Sequence, residues 1–322
     1  MISWVTWNRG VGLPQHDMWL DPHVKRRLAF VSHAHSDHSR RHEEAIMTPE
    51  THALSAHSRR SPACRLMRYG ERAEVRSGEL MLLDAGHMLG SAQLLLDDGG
   101  TRLLYTGDLK LRRGSRLPRT FVPRSDVLVI ESTYGRPQFR FPDPDTAVET
   151  IALWCRRRID SNVTPVLLAT ALGKAQDMML ALAAHGFRFA LESRCLRHAD
   201  AYRAAGVPLP DYIPLNPATV EDRVVLAPPA GKAEIRTLAR YRTALVSGWA
   251  MDDYFWRRLG GDVAIPYSDH CDFDELLEVV RLSGAEHVYT VHGYAEELAK
   301  HLRRRGCRAA PLAKDEQLEL AV

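Results

Sequence analysis

Residues 32–39 read Ser-His-Ala-His-Ser-Asp-His-Ser, which puts His33, His35, Asp37 and His38 within six positions. Imidazole nitrogen and carboxylate oxygen are the donors that divalent zinc accepts where cysteine is absent. The apolar run Leu28-Ala29-Phe30-Val31 just before them reads as a buried strand. Residues i and i+2 of an extended segment point the same way, so His33 and His35 can share one metal. Asp37 and His38, beyond the turn, can reach a second metal nearby. The competing reading is a polar loop that is rich in histidine by chance. Donors further along the chain count against it.

Each of those later donors follows an apolar run that reads as a strand, and α/β folds gather reactive side chains on such loops. His87 follows Leu80-Met81-Leu82-Leu83-Asp84, and Asp108 follows Arg102-Leu103-Leu104-Tyr105. Gly86 and Gly107 immediately precede them and ease a sharp turn. Glu131 closes Val127-Leu128-Val129-Ile130, His270 closes Ile265–Asp269, and His292 closes His287–Val291. Singly, each would pass for a hydrogen-bonded structural residue. Together with the opening cluster they form a ligand set.

The elements that must carry this set point to an α/β chain. Up to about Gly135 the pattern is short apolar strands and turns, with Asp97-Asp98-Gly99-Gly100 as a hairpin turn. Phe141-Pro142-Asp143-Pro144-Asp145 breaks the pattern and opens a helix over 146–159. Strand-then-helix units follow, with strands at 165–170, 223–227, 243–247, 262–266 and 287–291. Helices are expected over 173–185, 273–282 and 295–305.

Composition sets the bounds. A chain of 322 residues, 45% apolar and 26% charged, can bury the core of one large or two ordinary domains. No run approaches the roughly 20 apolar residues of a membrane span, and Met1–Val5 has no signal-peptide pattern. Five scattered cysteines without a Cys-x-x-Cys pair fit a reducing compartment, so a cytoplasmic location is expected. The net charge is only +3, but arginine clusters at 112–113, 156–158, 257–258 and 303–305. Such clusters suit phosphate, and they also suit solvated helix faces.

In order, these motifs resemble the metallo-β-lactamase-fold nucleases of the β-CASP group. They are His-x-His-x-Asp-His (33–38), His87, Asp108, Glu-Ser-Thr-Tyr-Gly (131–135), Ser-Asp-His (268–270) and Val-His-Gly (291–293). The last three correspond to that group's motifs A, B and C and distinguish it from ordinary metallo-β-lactamase hydrolases. Within the group, Trp19-Leu20-Asp21-Pro22, Ala171–Gln176 and Ala201–Gly206 are most similar to the small bacterial DNA ligase-associated exonucleases.

The resemblance implies an αββα sandwich with an inserted small α/β cap. The expected division is 1–144 and 251–322 for the sandwich and 145–250 for the cap. It implies two Zn²⁺ ions, or Mn²⁺ in their place, with a hydroxide bridging them. His33, His35 and His87 would hold one ion and Asp37, His38 and His292 the other, with Asp108 shared. Asp37, His270 and Glu131 would serve the chemistry, with Glu131 holding the ring of His270. Lys174, at a helix start where cation and backbone N–H groups suit phosphate, would contact substrate together with Ser247, Gly248 and Ser268. Cys271 reads as a small packing residue.

The implied activity is phosphodiester hydrolysis, as a DNA exonuclease in repair associated with a DNA ligase and a helicase. An RNA-processing nuclease of the same architecture is the alternative, since nothing in the sequence reads a 2′-OH. A small-molecule metallohydrolase and an inactive binding module are the readings from other classes. Motifs A to C oppose the first, and the intact ligand positions oppose the second.

Overall fold

A computed structural model of the chain describes residues 4–56, 60–76, 78–114 and 118–312. His57 and the segment 313–322 lie outside the described residues. The chain divides into two units. The first gathers Met1–Arg113, Leu117–Arg140 and His270–Glu319, and the second is built on Phe141–Asp269.

The first unit holds two sheets. One runs in the order β1 (Thr6–Trp7), β2 (Val11–Leu13), β3 (Met18–Leu20), β4 (Leu28–Phe30), β5 (Glu44–Met47), β6 (Ala63–Leu66). The other contains β7 (Arg72–Val75), β8 (Gly78–Asp84), β9 (Ala92–Asp97), β10 (Arg102–Tyr105), β11 (Val127–Glu131), β18 (His287–Val291) and β19 (Arg308–Pro311). Its order is β19-β18-β11-β10-β9-β8-β7. A shared apolar core joins the two sheets. Leu13, Leu20, Phe30 and Ile46 from the first meet Leu82, Leu94, Leu96, Tyr105 and Val129 from the second. Each such side chain contributes about 1.5–3 kcal/mol by leaving water.

Strand alternation puts the remaining apolar residues on the outer face. Leu95, Leu104, Leu128, Ile130 and Val288 pack under α7 (Phe273–Ser283) and α8 (Ala295–Arg304) through Phe273, Leu276, Leu298 and Leu302. Helix α8 buries Ala295, Leu298, Ala299 and Leu302, the i, i+3, i+4, i+7 stripe of an amphipathic helix. Arg303–Arg305 lie on its exposed face and C-terminal end, where cations favour the helix dipole. Asp272 and Glu275 form a capping box that starts α7, and left-handed Gly284 (φ 62°) ends it. The other sheet is covered more thinly. Val31, Ala45 and Met47 form a small separate cluster with Cys64, and α1 (Pro49–Leu54) is the one α-helix among the described residues before β7.

The second unit is a six-stranded sheet in which every pairing is parallel. Its strands are β12 (Thr164–Leu168), β13 (Arg188–Leu191), β14 (Tyr212–Pro214), β15 (Arg223–Ala227), β16 (Tyr241–Val246) and β17 (Val263–Ile265), in the order β14-β13-β15-β12-β16-β17. Helices α2 (Pro144–Asp160), α3 (Lys174–Ala183) and α4 (Ser193–Ala204) pack together and onto strands of this sheet, and the short α5 (Lys232–Ile235) and α6 (Asp253–Leu259) belong to the same unit.

The boundary expected at 250/251 falls inside this unit. Strand β17 pairs with β16, matching Ala244 to Val263 and Val246 to Ile265, so the inserted unit runs on to Asp269. The sequence pattern of a strand before His270 was therefore sound, but that strand completes the inserted sheet.

Candidate metal centre

The topology of the two-sheet unit gathers the donors. Strands β10, β11 and β18 are parallel neighbours, and β8 runs the same way because β9 is antiparallel to both β8 and β10. Their C-terminal ends therefore share one edge and deliver His87, Asp108, Glu131 and His292. In the facing sheet β3 and β4 are parallel, and they deliver Asp21 and the 33–38 loop. Gly107 (φ 54°) lets the two sheets' loops close up, since a Cβ there would lie 2.7 Å from the Ser32 Cβ.

Four donors face one another in a first lobe. His33 Nε2 lies 3.1 Å from His35 Nδ1, and His87 Nε2 lies 3.3 Å from the same atom. Asp108 Oδ2 is 3.5 Å from His33 Nε2 and 3.8 Å from His87 Nε2. Tetrahedral zinc with bonds of about 2.0–2.1 Å requires donor separations of about 3.3–3.4 Å, so this lobe is spaced for such an ion.

The second lobe opens from the other oxygen of Asp108. Oδ1 is 3.6 Å from His38 Nε2, which is 3.7 Å from Asp37 Oδ2. The ring of His292 lies 5.0 Å from that of His38, centroid to centroid. His292 Nε2 and Asp37 Oδ1 are buried without a hydrogen-bond partner among the described residues. Buried polar atoms are rarely left unpaired, and both are donors that suit a divalent cation.

Asp21 organises the rings, and sequence reasoning gave it no role. It is 1% exposed. Its Oδ2 accepts from His38 Nδ1 (2.8 Å), Tyr105 Oη (2.7 Å) and Ser32 Oγ (2.5 Å), and its Oδ1 accepts from the Ser32 N–H (2.7 Å). Because the Ser32 hydroxyl donates to Asp21, its oxygen accepts from His33 Nδ1 at 2.9 Å. The Nδ1–H groups of His33 and His38 are thereby engaged and each Nε2 faces inward, where it can ligate a metal once it has lost any proton, the usual way an outer carboxylate orients a histidine ligand. The sequence signal of Asp21 was membership of the Trp19-Leu20-Asp21-Pro22 stretch that carries part of the resemblance, with no role attached to the carboxylate.

The electrostatics are those of buried histidines crowded against buried carboxylates. Burial, reinforced by neighbouring histidines, holds His33 well below its ordinary value. Burial of its ring, with His38 alongside, lowers His292 to about 4. Burial opposes protonation of His38, yet Asp108, Asp37 and Asp21 together raise it well above 6.5. Burial raises Asp108 to about 7, against the pull of His38 and His270. Burial would raise Asp37 too, but His38 and His35 bring it to about 2.

His270 completes the edge. Its Nδ1 is 3.1 Å from both oxygens of Glu131, and its Nε2 is 4.0 Å from Asp108 Oδ2. Burial opposes ionisation of Glu131, but the His270 charge and hydrogen bonds from His270 and the Leu109 N–H hold it below its ordinary value. Ser132, next in the motif, donates to the carbonyls of Val291 (2.8 Å) and His292 (2.6 Å). It thereby holds His292 at φ 60°, a conformation that costs a non-glycine residue free energy. Cys271 is fully buried in the helix-side core, as a packing residue would be.

The remaining expected site residues lie in the parallel-sheet unit. Lys174 opens α3, is 5% exposed, and its Nζ sits 3.0 Å from Asp269 Oδ1. Ser247 accepts from the Trp249 N–H at 3.2 Å, while Gly248 and Ser268 are buried. In the two-sheet unit, the Arg112–Arg113 pair is engaged internally. Arg112 binds Asp272 (3.1 Å) and Glu275 (3.1 Å), and Arg113 binds Asp84.

Residues 263–309 match the model of the Zn-dependent metallo-hydrolase RNA specificity domain (RMMBL), a stretch that carries His270 and His292. A protein of Opitutus terrae named "Probable DNA ligase" is 37% identical over 325 aligned residues, covering 99% of this chain and 32% of that protein. An "RNase J-like protein" of Methanocaldococcus jannaschii is 32% identical over 118 residues, covering 35% of this chain and 27% of that protein. This chain therefore spans about a third or less of the length of these relatives. A solved structure from Enterococcus faecalis V583, titled as a protein of unknown function, superposes with a TM-score of 0.58 at 16% identity. That match covers 86% of this chain and 77% of the other, and it speaks to the fold alone. No helix among the described residues is long and apolar enough to cross a membrane. The domain match and these relatives, together with the convergence of Glu131, His270 and His292 on one edge of the candidate centre, support a metallo-β-lactamase fold of the β-CASP group for this chain.

Proposed function

We propose that the chain is a metal-dependent phosphodiesterase that hydrolyses nucleic-acid strands, acting as a DNA exonuclease in repair. One observation carries this reading. Asp108 turns one oxygen to His33 and His87 and the other to His38, while His270, backed by Glu131, approaches the same carboxylate. In this reading His33, His35, His87 and Asp108 hold one ion, and Asp37, His38, His292 and Asp108 hold a second. Two Zn²⁺ ions, or Mn²⁺ in their place, would supply the Lewis acidity that polarises a phosphoryl group and acidifies water.

The chain's own residues supply the rest. Glu131 accepts the Nδ1 proton of His270 and fixes the ring. Nε2–H then donates to the leaving oxygen as general acid. Asp37, through the carboxylate oxygen that it would not give to the metal, orients the entering water as an acceptor. Lys174, Ser247, Gly248 and Ser268 are the proposed substrate contacts.

DNA as substrate is supported by the relative that matches along the whole chain and bears a DNA ligase's name. The same name supports association with a ligase, and a helicase partner is proposed on the sequence resemblance alone. RNA is the second reading. It is supported by the RNA specificity domain over 263–309 and by the RNase J-like relative. Incubation of the Zn²⁺- or Mn²⁺-loaded protein with end-labelled DNA and RNA separates them. Release of labelled mononucleotides from DNA, stopped by chelation, is the expected result. Intact DNA beside degraded RNA would replace the DNA reading with the RNA one. Both strands left intact would remove the nuclease reading altogether.

A further inference from the structure

His270 is not carried by a strand of the unit in which it works. It sits on an irregular segment between β17 and α7, so other contacts must aim its ring. Three come from residues 109–110 and Glu131. The Cys271 N–H donates to the Leu109 carbonyl at 2.6 Å. The ring's Nδ1 meets Glu131, which also accepts from the Leu109 N–H at 2.7 Å. The third contact is a side chain. Lys110 Nζ donates to the His270 carbonyl at 3.3 Å.

Lys110 is an unusual residue for this place. It is 8% exposed and lies two positions from Asp108. Lysine is seldom buried this deeply unless its charge is paired. Its nearest carboxylate is Glu275, 3.9 Å away and 4% exposed. Glu275 also caps α7 through the Asp272 N–H and accepts from the Arg112 N–H at 2.7 Å. The Lys110 main chain is fixed as well, with its N–H donating to the Ala85 carbonyl at 3.0 Å on the His87 loop. The ammonium thus bridges a rigid strand end, the N-terminus of α7 and the peptide that bears His270. An apolar side chain could fill the space, but it would remove this donor from the His270 carbonyl and loosen the hold on the 270–271 peptide.

We propose that Lys110 is a positioning residue for His270: its buried ammonium, through the His270 carbonyl, fixes the loop that aims the imidazole at Asp108. The inference rests on the reading of His270 as the group that serves the leaving oxygen.

A double-mutant cycle tests it, with kcat and KM measured on end-labelled DNA for the metal-loaded full chain. Lys110→Met is expected to lower kcat about 10²-fold, the scale of an ångström-sized misplacement, with KM and metal content unchanged. In the His270→Ala background the same substitution should cost less than about 3-fold, because the group it positions is gone. Lys110→Arg, which keeps a cationic donor, should recover most of the loss. Equal losses in both backgrounds would overturn the proposal. So would a raised KM with kcat intact, which would make Lys110 a phosphate contact. Should Lys110→Met fail to fold, Lys110→Gln, which removes the charge, carries the cycle, and a loss there that adds fully to that of His270→Ala counts against the proposal. Histidine-selective ¹⁵N NMR gives a readout independent of activity. A shift confined to the His270 ring supports the positioning role even if the wild-type chain cleaves no nucleic acid, which would fail only the functional reading. An unmoved His270 signal would overturn it.

Discussion

Two parallel strand edges in this chain look alike on paper and behave oppositely. In the inserted unit the strand-end residues are paired off internally. Lys174 is matched to Asp269, and Ser247 caps its own turn. In the two-sheet unit the strand ends and the 33–38 loop carry Asp108 raised to about 7, a non-glycine residue at φ 60°, and His292 Nε2 and Asp37 Oδ1 without partners among the described residues. The first edge is finished by folding. The second presents buried donors of the kind that a divalent cation would engage. A centre is recognised here by what folding leaves unpaired, and the following tests bear on that contrast.

The largest effect is expected at the shared ligand. Asp108→Ala should bring nucleic-acid cleavage to background and leave at most one metal ion per chain, by elemental analysis. Next comes His270→Ala, which should lower kcat about 10²–10⁴-fold, the range of general acid catalysis, while both metals stay bound. Retention of full activity would break the assignment of the proton donor. Asp21→Asn should follow, with metal affinity reduced about 10–100-fold as for other outer-sphere partners of ligand histidines. Competition with a fluorescent chelator would measure it, and unchanged affinity would mean that Asp21 does not orient the His33 and His38 rings.

Acidity sharpens the contrast further. Asp108 is raised from 3.8 to about 7, so its contribution to the metal-free fold is fully present below pH 3.8 and is lost as pH rises toward 7. His38, raised above 6.5, contributes below pH 6.5 and loses that contribution as pH climbs through its folded value. Metal must displace both protons, so its affinity rises over the same interval. The gap in Tm between metal-loaded and metal-free protein should therefore widen from pH 5 to pH 8. A gap that narrows would contradict the charge argument. The smallest effect at the metal centre is expected from Lys174→Met. It breaks a buried ion pair and should destabilise the fold by about 3–5 kcal/mol, read by denaturant unfolding, yet leave metal stoichiometry as it was.

Much of this was legible in the sequence, and the reasons are local. The loops that carry the candidate ligands stand out because they follow strand-like runs, and β15 (223–227) and β18 (287–291) lie where the patterns put them. Helices α7 and α8 lie within one residue of the spans expected after those strands. Other elements were not. Strand β13 is Arg188-Phe189-Ala190-Leu191 and α4 begins Ser-Arg-Cys-Leu-Arg-His, so tertiary packing had to override weak local patterns. The end of the inserted unit was misplaced because only the β16–β17 pairing discloses which sheet Val263–Ile265 joins. Asp21 and Lys110 escaped for a common reason. The partners that define Asp21 lie 11, 17 and 84 residues away, and the Lys110 partner lies 160 residues away. No single segment contains such relations.

In the proposed centre one carboxylate joins two metal lobes. Native mass spectrometry of the zinc-loaded chain, side by side with Asp108→Ala, puts this to the test. Two ions per wild-type chain and at most one in the variant are expected. Two ions retained by Asp108→Ala, or a single ion in the wild-type chain at saturating zinc, would contradict it.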